Sequence, residues 1–153
     1  MDALVVVGSK IPAMSSEAIA NVRNLESALL QMPQSLCQTI HTIHGGVYSR
    51  TVTVPENCFM TGALIKIPTT LIVNGHITVY LDGECIELKG YNILPASAGR
   101  KQAFFAHTAT HITMVFQSDA TTVAEAEAQF TDECDLLLSN TKHGTNSITI
   151  TGE

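Results

Sequence analysis

NGHITVYLDGECIELKGYNILPASAG, residues 74–99, is the stretch whose reading decides the fold. Two dipeptides, Asn74-Gly75 and Asp82-Gly83, bracket an alternating apolar run, and Cys85 opens another. Asn-Gly and Asp-Gly supply the positive φ that tight two-residue hairpins need, so the spacing predicts short strands over 69–73, 77–81 and 85–88. Gly90, a short apolar strand and Pro95-Ala96-Ser97-Ala98-Gly99 follow.

The same period extends outward. YSRTVTVP at 48–55 alternates β-branched and polar residues up to Pro55, and FFAHTATHITMVF at 104–116 reads as the last long strand, with a break near Thr108. Residues 45–117 are therefore expected to form one β-barrel.

Helical signals flank it. Within an N-terminal segment, 1–44, a helix is predicted over 17–32: Ile19, Val22, Leu25, Leu29 and Met32 share a face behind Ser15 and Ser16, and Met32-Pro33 ends it. In 118–153, Thr122-x-x-Glu125 is a capping-box pattern that opens a helix over 122–138. Val123, Phe130, Cys134, Leu137 and Leu138 lie on one side of it, and Glu125, Glu127, Asp132, Glu133 and Asp135 on the other. The tail closes in SITIT, 147–151, which either adds a strand to another sheet edge or is a loosely held terminus.

Composition narrows the function classes. The 153 residues suit one domain, with 45% apolar and 14% charged residues against a typical quarter charged, which points to surface covered by a partner or by copies of the chain. Eight Lys and Arg and a net charge of −6 leave no footprint for nucleic acid. The apolar run Leu4 to Val7 is too short for a signal peptide, and no run is long enough to insert in a membrane. The four cysteines have no C-x-x-C spacing and read as reduced, mostly buried thiols.

The order hairpin, Asp-Gly-Glu, strand, Gly90, strand, PASAG resembles the centre of the cupin superfamily, small jelly-roll barrels whose second motif has the form G-D-x-x-x-x-P-x-G. MPQSLC at 32–37, GVYSRTVTVP at 46–55, TGALIK at 61–66 and AGRKQAFFAHT at 98–108 are similar, in their order and spacing, to short cupin-like proteins encoded by tailed bacteriophages. The resemblance implies a mainly β, cupin-like jelly-roll barrel with one helix before it and one after. It also implies a location in the virion, or in the host cytoplasm before assembly.

Metal-dependent cupins use an H-x-H pair, a following glutamate and a third histidine after P-x-G. No histidine lies between Gly45 and Gly75 here, and the third position is Gln102. No metal and no cofactor are therefore expected. His107 and His111 lie four strand residues apart, about 13 Å, too far to share one ion at bond lengths of about 2.0–2.1 Å. They share a face that is expected to be the barrel interior, where His76 joins them as a polar cluster. His41 and His44, beside Gly45-Gly46, read as surface polar residues. Cys85 reads as packing, and neither a G-x-S-x-G elbow nor a P-loop is present.

The leading expectation is a non-enzymatic structural or decoration component of a bacteriophage virion. It assembles as a homo-oligomer, and with other virion proteins, through its barrel and flanking helices. The alternative is a metal-free binding module for a small sugar, nucleotide or host glycan, with Lys66, Tyr80, Gln102, His107 and His111 at the barrel mouth. A metal-independent isomerase or epimerase would need a carboxylate beside His107, and none is evident.

Overall fold

A computed structural model describes residues 10–153. Leu4 to Val7, read above against a signal peptide, lies outside the described residues. The chain is mainly β: one eight-stranded sheet curls around a core and is flanked by helices α1 (Ser16–Leu29) and α2 (Val123–Phe130).

The strands are β1 (Cys37–His44), β2 (Val47–Val54), β3 (Phe59–Thr61), β4 (Thr69–Tyr80), β5 (Cys85–Ala96), β6 (Ala103–Ala106), β7 (Thr110–Gln117) and β8 (Gly144–Ile150). Their order is β3-β6-β4-β7-β2-β1-β8, with β5 on the other side of β4. Strand alternation places Tyr48, Val54, Leu71, Val73, Ile77, Val79, Phe104, Ile112 and Met114 on the inner face as one apolar cluster. α2 adds Phe130, 1% exposed, which stacks on Tyr48 at 6.4 Å. Its burial contributes about 1.5–3 kcal/mol.

Several boundaries differ from expectation. Asn74-Gly75 is no hairpin: β4 runs straight through it, pairing with β7 at 70–74 and with β6 at 77–80 while β5 follows its whole length. Gly75 sits where β6 and β7 part, and a Cβ there would lie 2.8 Å from the Cα of Thr110. Asp82-Gly83 does turn tightly, with Leu81 N–H donating to the Glu84 carbonyl and Gly83 at φ 75. The expected break near Thr108 separates β6 from β7.

The sheet also begins earlier and ends later than 45–117. β1 belongs to it, joined to β2 through Gly45 and Gly46, both at positive φ, and the tail strand β8 lies parallel to β1 in register Cys37↔Gly144 to Ile43↔Ile150. The tail thus adds its strand to this chain's own sheet.

α1 begins as predicted, with Ser15 Oγ accepting from Ala18 N–H, but stops at Leu29 and leaves Met32 exposed. α2 is half the expected length. Thr131 turns extended, and two 3₁₀ turns, Cys134–Leu136 and Leu138–Asn140, replace the rest. The reason is electrostatic: two acids read as solvent-facing turn inward. Glu127, 3% exposed, accepts from Arg50 at 3.0 Å and Ser139 at 2.8 Å. Glu133 accepts from the fully buried Lys101 at 3.0 Å and from Leu64 N–H. Burial raises the Glu133 pKa, but the donors Leu64, Arg23 and Lys101 outweigh it and hold the carboxyl below its usual range.

Candidate functional site

Between the inner face of the sheet and α1 with the 3₁₀ turns lies a cavity of about 640 Å³. Met60, Leu71, Phe104 and Met114 give it an apolar wall, and Arg100 and Gln102 line it as well. β6 begins just after them, so the strand carries its preceding residues into the fold instead of out to water.

Arg100 is 1% exposed. Its Nη1 donates to the Ser97 carbonyl at 2.6 Å and its Nη2 to Thr69 Oγ1 at 2.7 Å, and among the described residues no carboxylate pairs with it. Burial lowers its pKa to about 10. The Nε of Arg100 and the Nε2 of Gln102 are both buried with no acceptor among the described residues. An orphan donor of this kind costs about 1–3 kcal/mol.

The interior does not fit the metal that the cupin resemblance brings to mind. Gln102 offers an amide where an imidazole would be needed, and the guanidinium of Arg100 on the same cavity repels a cation.

Only Gln102 of the five expected binding residues lines the cavity. In β4 the inward set is Leu71, Val73, Ile77 and Val79, so Tyr80 points outward; in β6 Phe104 is inward, which places Phe105 and then His107 outside. His111 is exposed on β7, its Nδ1 2.9 Å from Thr53 Oγ1. Lys66 pairs with Asp132 at 2.6 Å on the surface. The shared face of His107 and His111 is therefore the outer one, and His111 stands apart from the cluster formed there.

That cluster joins His76 of β4, Glu87 of β5 and His107 beyond β6. One ligand atom from each lies within 4.8 Å of the other two. Register fixes the grouping, because Thr78 faces both Glu87 and Phe105 across its two neighbours. His76 Nε2 hydrogen-bonds Glu87 Oε1, the two imidazoles stack at 4.4 Å, and Thr78 Oγ1 holds His107 Nε2 at 2.7 Å. The His76 hydrogen bond, then the Lys89 charge, hold the Glu87 carboxyl below its usual range.

Glu87 and Arg100 are what sequence reasoning missed. The Asp82-Gly83 turn pairs Tyr80 with Cys85, and counting back from it sets Glu87 opposite Thr78 and diagonal to His76. That count was the available signal; for Arg100 there was none, since an arginine after a turn ordinarily reaches solvent. His41, expected on the surface, is 1% exposed on β1, because the segment before Gly45 is a strand whose inner face it shares. The cysteines are free but none is fully buried, and Cys85 is exposed.

No family model and no curated protein matches the chain. Solved structures similar to it include a protein of unknown function from Vibrio parahaemolyticus, 13% identical over 49% of this chain and 81% of that one, with a TM-score of 0.43. Another is the cupin_2 domain of an XRE family transcriptional regulator from Enterobacter cloacae, 9% identical over 46% and 80%, TM-score 0.39. A third is the salicylate 1,2-dioxygenase from Pseudoaminobacter salicylatoxidans, 12% identical over 80% of this chain and 38% of that one, TM-score 0.48. All three scores lie below 0.5, and nothing about this chain's chemistry follows from them. Among the described residues no helix is long and apolar enough to cross a membrane.

Proposed function

We propose that the protein is a binding module whose barrel takes a small molecule with an apolar body and a carboxylate. The observation that carries this reading is that Arg100 and Gln102, each with a buried donor that lacks an acceptor, line one largely apolar cavity. A carboxylate supplies the acceptors these groups lack, and a charge-assisted bond to guanidinium is among the stronger hydrogen bonds. The volume is within the range of small-ligand sites, and the apolar wall suits an aliphatic or aromatic body better than a sugar or nucleotide.

The test is thermal unfolding of the full chain against a series of medium-chain fatty acids and benzoic acids. A bound acid should stabilise by about 2.7 kcal/mol at about 100 times its Kd. Gln102→Leu and Arg100→Met should abolish that shift while the unliganded proteins still unfold cooperatively. No shift with any acid, or an unchanged shift in Gln102→Leu, would sink the reading.

A second reading is a self-assembling structural piece, including a virion component of the kind the sequence resemblance implies. It is favoured by two of the outer strands, β5 and β8, where Tyr91, Ile93, Ile148 and Ile150 are exposed. Exposed apolar residues along open strand edges are a common basis of association.

A further inference from the structure

The geometry points to a second site, on the opposite face of the sheet from the cavity: His76, Glu87 and His107 form a surface site for a divalent transition metal of the zinc, nickel or copper class. Two imidazoles and one carboxylate are ligands of that class and poor ones for magnesium or calcium. Three protein ligands leave a coordination position open.

The distances allow it. Ligands of zinc sit about 2.0–2.2 Å from the ion, which puts them about 3.3 Å apart around a tetrahedron. The three donor atoms already lie within 4.8 Å of one another, and the Glu87 and His76 side chains, 52% and 29% exposed, have room to rotate inward. The backbone holds the three anchor points together: β4–β5 pairing sets His76 and Glu87, and His107 N–H donates to the His76 carbonyl at 2.9 Å.

The surroundings support the histidines as ligands. Thr78 Oγ1 bonds the His107 ring, and Phe105 packs edge-on against it at 5.1 Å, so the imidazole is held from two sides. His76 Nε2 and Glu87 Oε1 are already hydrogen-bonded to each other. A metal ion between them replaces that hydrogen bond, taking the lone pair of a neutral imidazole, whose proton sits on the other ring nitrogen, and an oxygen of the carboxylate. Lys89 Nζ, 3.9 Å from Glu87 Oε1, is the one cation facing the cluster among the described residues, and its side chain is 69% exposed and free to move into solvent.

The experiment is a calorimetric titration of the reduced, full-chain protein with Ni²⁺ and with Zn²⁺ near neutral pH. One equivalent should bind. His76→Ala and His107→Ala should each weaken it by roughly 10-fold or more, and Thr78→Val, acting through His107, by about 10-fold. His111→Ala and His44→Ala should bind like the parent. Because the cysteines are free, Cys58→Ser and Cys85→Ser are included: loss of binding in either would assign the metal to thiols and overturn the proposal. Absence of saturable binding, or binding unchanged in both His76→Ala and His107→Ala, would overturn it as well. All three ligands lie outside the cavity, so failure here leaves the carboxylate reading standing.

Discussion

His41 shows how one residue ties the last described strand to the sheet. Its Nε2 lies 2.7 Å from Asn146 Oδ1, and its Nδ1 2.7 Å from Tyr48 Oη. Since an amide oxygen only accepts, Nε2 carries the proton and Nδ1 accepts from the phenol, so the neutral ring satisfies both partners. Burial pushes its pKa below the ordinary 6.5, helped by the Arg50 charge and opposed by the Asn146 hydrogen bond and Glu127. The folded protein therefore binds fewer protons here than the unfolded chain between the two values. Stability from this group is fully present above pH 6.5 and is lost as pH falls through the lower, folded value. Urea midpoints measured across acid pH should fall for the parent protein and flatten in His41→Gln; equal slopes in the two would refute the assignment.

β4 is the element on which the rest of the sheet depends, and Gly75 is the residue that lets it serve three neighbours. At φ 148, with Thr110 Cα 2.8 Å from any added Cβ, the position admits no side chain without backbone movement. Gly75→Ala should cost about 1–3 kcal/mol, read by chemical denaturation; a loss within about 0.5 kcal/mol, usual for a surface change, would mean the split tolerates a methyl group. The same glycine explains where the sequence was legible. Period-two alternation located the strands of the barrel, and Asp82-Gly83 located a hairpin. Asn74-Gly75 carried the same local signal for a different purpose, because a close approach by Thr110, 35 positions away, leaves no trace in the dipeptide. β1 went unread although Gly45-Gly46 is a turn signal as strong as the others, and Glu127 and Glu133 were assigned to solvent because their cations, Arg50 for the first and Arg23 and Lys101 for the second, lie far off in the chain. Of the candidate site, Gln102 was legible from motif position, while the sides taken by Tyr80 and His107 were settled by strand parity.

At the scale of the molecule, the division into 1–44, 45–117 and 118–153 does not survive: β1, β2 and β8 are neighbours in one sheet. Of the strands with a free edge, β5 and β8 carry exposed apolar side chains, with Tyr91 64%, Ile93 58% and Ile148 54% exposed. If these edges mediate assembly, light scattering should find a defined oligomer that Ile93→Lys or Ile148→Lys drives to monomer; a monomeric parent at every concentration would rule the assembly out. The parallel pairing of β1 with β8 has a further consequence for the nascent chain. His41 must wait for Asn146, 105 positions later, before its strand is covered. While the intervening residues emerge from the ribosome, the β1–β2 hairpin keeps the outer edge of β1 as an open row of backbone donors and acceptors, even after β7 has covered β2. The interval in which this chain is most exposed to pairing with a neighbour is thus set by the time the ribosome needs to reach β8.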